Sequence, residues 1–299
     1  MELTSKPAGA SDMANGRQEV SVLMIGREQS GKTSLVLSLE ALRTGVYPKR
    51  FEQKHKASEL RSPGLPSNDR QYTIPSRDAD SLPLVILDTG ACGVRDQVRL
   101  PGGRRLPVAL RSTSMRHDSV VFVLDGLDLP LWEDPNRAEE LAALGATLRH
   151  QQYSVVIVVT KLYKARENAL REAAHGADHG GRPGRDPRSS YEEFVSRYLE
   201  KTAVTLQAAP QVRSLLAAQG GDGAPAWPKP GATILDVPTW VSVRDYEAWQ
   251  DRRGTPELPN LRYIRVQLEK LVSALSILPA VKSGHPWHQL VDDGTAAGA

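Results

Sequence analysis

The chain has 299 residues, 40% of them hydrophobic, enough for one large α/β domain or two small ones. Its 38 basic residues face 35 acidic ones, a net charge of +3, and only 5% of residues are aromatic, so nothing marks nucleic acid as a partner. Cys92 is the only cysteine, which excludes an internal disulfide, and no apolar run reaches the length of a membrane span. The opening "MELTSKPAGASDMANGRQ" lacks the basic-then-apolar order of a signal peptide, so a soluble, cytoplasmic chain is expected.

In chain order, residues 1–18 are small and polar and are expected to be a disordered tail. "EVSVLMI" is a β-branched apolar run, predicted as a buried strand. "GKTSLVLSLEALRTG" follows with helical spacing at Leu35, Leu39 and Leu42 and a stop at Gly45. Residues 46–69 have no period and read as a long loop. "RQYTIPS" and "LPLVILD" are two strands joined by "RDADS", too short for a helix, so the pair is an antiparallel hairpin. "DSVVFVLDG" is a fourth strand. "DPNRAEELAALGATLRH" is a helix with Asp134 as its N-cap and Pro135 in its first turn. "YSVVIVVTK" is a fifth strand, "YEEFVSRYLEKTAVTLQ" an amphipathic helix, "TILDVPTWVSV" a sixth strand and "NLRYIRVQLEKLVSALSIL" the last helix. Flexible insertions are expected near 165–190 and 217–231 and a tail at 283–299, leaving 19–282 as one domain. Strands alternating with helices imply an α/β fold, a mostly parallel sheet covered on both faces.

The segment that carries chemistry is "GREQSGKT", from Gly26 to Thr33. It matches G-x-x-x-x-G-K-[ST], the phosphate-binding loop, and stands between a strand and a helix as that motif requires. Its glycines let backbone N–H groups turn inward, and the helix adds its positive end. The motif assigns phosphate contact to Gly26, Gln29, Ser30, Gly31, Lys32, Thr33 and Ser34, and gives the Thr33 hydroxyl to Mg²⁺. Such a match arises by chance in roughly 1% of chains this long. Asp88 ends the apolar strand "LPLVILD" and is the expected second Mg²⁺-side group. "VFVLD" ends in Asp125 with the same shape. Only Asp88 is followed by "DTGACG", which can turn towards a γ-phosphate, so Asp125 is read as a strand cap.

On these residues the chain resembles the Ras-like, translation-factor-related class of P-loop GTPases. Its divergence and insertions are similar to GTPase-like domains of bacterial conflict systems, including the double-GTPase type. The resemblance implies a three-layer P-loop NTPase sandwich with one antiparallel strand, GTP or GDP as ligand, and Mg²⁺. It implies that Gly90 meets the γ-phosphate, and that Thr160, Lys161 and Ser242 lie at the base. Three departures stand out. The D-x-x-G motif becomes Asp88-Thr89-Gly90-Ala91, with Gly one place early, and the water-orienting Gln is out of register, Gln97 being the nearest. The base-reading [NT]-K-x-D becomes Thr160-Lys161-Leu162-Tyr163, with Tyr in place of the acid that would bind guanine; the same residues also read as a strand end with a solvated lysine. No Thr lies between Thr44 and Thr73 to serve the first switch.

Other features have plainer readings. The arginines from Arg95 to Arg116 read as a solvated hairpin around "PGG", or as a source of an arginine finger in cis. His175 and His179 lack a third metal ligand, and Trp227, Trp240, Trp249 and Trp287 read as core or lid residues. The leading expectation is a nucleotide switch with slow hydrolysis whose loops 45–68 and 90–112 meet a protein partner. The alternatives are a binding module without useful hydrolysis, or an ATP-using P-loop protein.

Overall fold

The β-branched runs become a sheet because each is apolar on both faces and must be covered on both. The computed structural model describes residues 19–44, 70–76, 83–89, 97–99, 105–107, 117–150, 154–175, 190–213, 227–231, 233–239 and 261–276. Among these, β1 is Val20–Gly26, β2 Arg70–Ile74, β3 Leu84–Asp88, β4 Gln97–Arg99, β5 Arg105–Pro107, β6 Ser119–Asp125, β7 Ser154–Thr160 and β8 Ile234–Asp236. The helices are α1 Lys32–Thr44, α2 Pro135–His150, α3 Leu162–His175, α4 Tyr191–Ala208 and α5 Leu261–Ser276.

Six strands form one sheet in the order β2-β3-β1-β6-β7-β8. β2 runs antiparallel to β3, and every other neighbouring pair is parallel. From β1 the chain moves to the β3 side by way of α1, then crosses to β6 and proceeds the opposite way. Right-handed crossovers put helices on opposite faces when the direction reverses. Accordingly α1 and α5 pack together on one face, and α2 packs on α4, with α3 beside it, on the other. β1 is the topological switch point, where ligands bind beyond the carboxyl ends of the strands. A separate antiparallel hairpin, β4 with β5, pairs Val98 with Leu106 and lies beside α2. This is the hairpin expected around "PGG".

The core runs through the sheet. Val22, Leu23 and Ile25 of β1, Ile86 and Leu87 of β3, Phe122 of β6 and Ile157 of β7 are buried, and α1 seats Leu35 and Leu39 on one face. Asp134 caps α2, its Oδ1 accepting from Arg137 N at 3.4 Å. No helix among the described residues is long and apolar enough to cross a membrane.

Three expectations need correction. The flexible insertion placed at 165–190 does not start at 165, because α3 runs to His175. Leu162, Ala165 and Ala169 of "LYKARENALREAAH" are buried at three- and four-residue spacing, and most of the remaining residues are strong helix formers. The stretch at 217–231 does not stay open to its end, since Trp227 is buried against α2 and Gln207 Nε2 donates to Pro228 O at 2.9 Å. The sixth strand, expected over 233–243, is a ladder of three residues among those described; its last bond, Val237 N to Val159 O at 3.0 Å, comes where β7 itself ends at Thr160 and Lys161 turns left-handed. The two tails, Gly45, Trp240, Trp249, Trp287 and His179 lie outside the described residues.

Gly145 of α2 sits directly under Trp227, and a Cβ there would run into the indole ring. In an open helix Gly→Ala stabilises by about 1 kcal/mol. Here overpacking decides the sign, at a cost of about 1–3 kcal/mol. Gly145→Ala is therefore expected to lower the melting temperature; a rise would show that Trp227 does not pack there.

Candidate nucleotide-binding site

All parallel strands end on one edge of the sheet, and the polar residues of the sequence motifs gather there. β1 delivers Gly26 into the loop and α1 starts at Lys32. A Cβ on Gly26 would stand 2.6 Å from Val123 O and 2.8 Å from Ser30 Oγ, so only glycine lets the loop leave the sheet this close to β6. Gly31 has φ +95°, in the left-handed region that glycine alone adopts readily, and faces the Thr160 hydroxyl. Gln29 is also left-handed, at φ 61°. The first turn of α1 has no preceding helical carbonyls, so its N–H groups and positive end are directed at the loop; Ser34 lies buried in that turn. Ser30 Oγ is buried against Gly26 with no hydrogen-bond partner among the described residues.

Lys32 is buried, its Nζ donating to Gly26 O at 2.7 Å and Arg27 O at 2.8 Å. The ammonium is thereby held across the loop. Thr33 Oγ1 donates to Asp88 Oδ2 at 2.8 Å, so α1 and the end of β3 bring together the two residues expected at Mg²⁺, 55 positions apart in the chain. The register Met24↔Asp88 produces this meeting. Thr89 then locks the chain leaving β3, its N and Oγ1 both donating to Met24 O at 3.2 and 2.9 Å. Gly90 and Ser242 lie outside the described residues.

Thr160 and Lys161 both reach the loop. Thr160 Oγ1 donates to Ser30 O at 2.6 Å and sits 3.2 Å from Leu124 O. Lys161 Nζ donates to Gln29 O at 2.6 Å and pairs with Asp125 Oδ2 at 2.5 Å. Its ammonium is engaged by the protein and is not a solvated strand end. Tyr163 is buried in the core, because α3 starts at Leu162 and turns the third residue after Thr160 inward, so its hydroxyl is no substitute for the missing acid. Asp125 does more than cap a strand. Its Oδ1 accepts from Leu127 N at 2.9 Å while Oδ2 holds Lys161. "VFVLDG" offered an acid at a strand end, but the partner follows only from the register Asp125↔Thr160. Asp128, unnoticed in the sequence, pairs with Arg27 and Arg137 at 3.4 and 3.5 Å. Gln97 is a β4 strand residue paired with Pro107.

One antiparallel strand flanks the strand ending in Asp88, in a sheet whose switch-point strand feeds the phosphate loop. This is a three-layer α/β P-loop fold. No family model matches the chain, and no curated protein matches it in sequence. Among solved structures it is similar to Toc33 from Arabidopsis thaliana in complex with GDP and Mg²⁺, at 14% identity and TM-score 0.43, over 87% of this chain and 85% of that one. It is also similar to the bacterial selenocysteine-specific elongation factor EF-Sec, at 18% identity and TM-score 0.33, over 78% of this chain and 28% of that one. Translation elongation factor SelB from Methanococcus maripaludis, in complex with the GTP analogue GppNHp, gives 12% and 0.35, over 74% and 30%. This chain thus spans about a third or less of the two elongation factors. At such values the fold assignment rests on the strand order and the phosphate loop of this chain itself.

Two buried titratable groups lie away from the loop. At the opposite end of β1, His117 Nδ1 and Ser21 Oγ are 3.1 Å apart, and Ser21 N donates to Asp118 Oδ2 at 2.9 Å. Burial holds the His117 imidazole down at about 4. At the β8 edge, Asp236 accepts from Tyr191 of α4 at 2.7 Å and from Tyr263 of α5 at 3.1 Å. Burial outweighs those two bonds and pushes its carboxyl up to about 7. The signs oppose. Between about pH 6.5 and 4 the unfolded chain protonates His117 and the folded chain does not, so stability is lost on acidification. Between about pH 3.8 and 7 the folded chain keeps the Asp236 proton, so stability is lost as pH rises. Asp236→Asn should leave stability rising with pH from 4 to 6.5, and His117→Asn should leave it falling. Urea midpoints across that range read both slopes, and unchanged slopes in both variants would overturn the assignment.

Proposed function

We propose that the chain is a Mg²⁺-dependent guanine-nucleotide switch that hydrolyses GTP slowly and works in the cytoplasm. The observation that carries this reading is Thr33 Oγ1 at 2.8 Å from Asp88 Oδ2, beside a buried Lys32 in a glycine-bounded loop. A hydroxyl and a carboxylate are hard oxygen donors, which suits a metal that keeps its remaining positions for phosphate oxygens and water. The left-handed turns at Gln29 and Gly31 and the open first turn of α1 turn loop N–H groups to one side, which fits a phosphate at the mouth of the loop. Thr33 and Asp88 would hold Mg²⁺, which when bound neutralises charge on the phosphate oxygens. Lys32 and the first N–H groups of α1 bind the phosphates and orient them along the helix axis. Loops 45–68 and 90–112 are proposed to respond to the γ-phosphate and to present a surface to a protein partner.

A specific observation favours a second reading, of an ATP-using P-loop protein. Tyr163 is packed in the core where the family has its guanine-binding acid. Without that charged acceptor, discrimination falls by about 1.5–3 kcal/mol, roughly ten- to a hundredfold.

Titration of labelled GDP, GTP, ADP and ATP, with and without Mg²⁺, tests these points together. Lys32→Ala should abolish triphosphate binding in a chain that still melts cooperatively; equal affinity of variant and parent sinks the phosphate-loop reading. GTP should bind no more than about a hundredfold tighter than ATP, and a preference of many thousandfold would mean that another acid reads the base. Single-turnover phosphate release should be slow, at or below about 10⁻³ s⁻¹. A rate near one per second from the chain alone would reveal a complete catalytic set within it.

A further inference from the structure

Two non-glycine residues among those described adopt the left-handed conformation, Gln29 and Lys161, at φ 61° and 60°. A side chain with a Cβ is strained there and stays only where its surroundings hold it. The two residues hold each other, because Lys161 Nζ donates to Gln29 O at 2.6 Å. The same ammonium pairs with Asp125 at 2.5 Å, and the two side chains are only 19% and 14% exposed. Such a shielded pair escapes most of the screening that weakens surface pairs. Asp125 is itself fixed, by the Leu127 N–H on its other oxygen and by its register opposite Thr160.

We propose that Asp125 is a positioning residue for the phosphate loop. Through Lys161 it holds the Gln29 carbonyl, and with it the left-handed turn of the loop, and so sets how fast a bound nucleotide leaves. Its charge also occupies Lys161, which keeps that ammonium from competing with Lys32 for phosphate. The nearby Arg27–Asp128 pair, at 3.4 Å, is half-exposed at 46% and 34% and has no such hold. The release-rate part of the proposal rests on the nucleotide reading above; the loop-holding part does not.

Asp125→Asn isolates the charge, since an amide oxygen can still accept from Leu127 N–H. Release of fluorescently labelled GDP is measured for Asp125→Asn, Lys161→Met and the double variant. Each single change should speed release roughly tenfold, the worth of one charge-assisted hydrogen bond, and the double should be no faster than either. Asp125→Glu should recover much of the parent rate, and Asp128→Asn should behave like the parent. In the nucleotide-free chain, amide exchange at Ser30, whose N–H donates to Arg27 O at 3.2 Å, should rise in Asp125→Asn while β1 and β6 stay protected. If the parent binds no nucleotide, the functional reading falls, and the exchange measurement still decides the loop-holding role. Parent-like exchange in Asp125→Asn, additive effects in the double variant, or an equal effect from Asp128→Asn would overturn the proposal. Should Asp125→Asn fail to fold, Lys161→Met reads the same tie from its other end.

Discussion

Two consecutive residues at the end of β7 grip two consecutive carbonyls of the phosphate loop: Thr160 holds Ser30 O and Lys161 holds Gln29 O, each at 2.6 Å. The rest of the site depends on that grip. A loop of this kind must present its N–H groups to a ligand, so its carbonyls have to be satisfied from behind. Strand β7 can do this only because β6 spaces it from β1 in one register, Gly26 opposite Val123 and Asp125 opposite Thr160. The absent Cβ of Gly26 and the absent Cβ of Gly31 are the two places where the loop closes on β6 and β7.

On the other side of β1 the logic is the same with different chemistry. β3 brings Asp88 level with Met24, and Thr89 doubles its bond to Met24 O before the chain departs. The loop therefore sits between a basic clamp from β7 and an acidic residue from β3. Stability is anchored at the far end of the same strands. There Asp118 N donates to Ser21 O at 2.7 Å and Ser21 N donates to the Asp118 carboxylate at 2.9 Å, with His117 sealed beside them. A strand pinned at its N-terminal end can carry a functional turn at its C-terminal end without the sheet sliding.

Local pattern was a good guide wherever it described one element. The hairpin of β2 with β3 follows from a connection too short for a helix, and it is there. α2 begins where Asp134 and Pro135 said it would. The misses are also local in origin. "LYKARENALREAAH" has small alanines on its buried face, so its apolar stripe is faint and the glycine-rich run behind it blurs its end. Trp227 stands in a stretch of Gly, Ala and Pro whose composition suggests openness, and only the groove over Gly145 makes it a core residue.

By itself the sequence determined the phosphate loop, the strands that carry it and the absence of an acid at position 163, because these are properties of residue type and spacing along one stretch. Tertiary structure alone decided what Lys161 does. Its partners lie 132 residues away at Gln29 and 36 away at Asp125, and no periodicity encodes which strand end will stand beside another. It also decided that Asp88 meets Thr33 while the look-alike Asp125 meets Lys161. The two acids end similar apolar strands, and their roles separate only when sheet order places one beside β1 and the other beside β7.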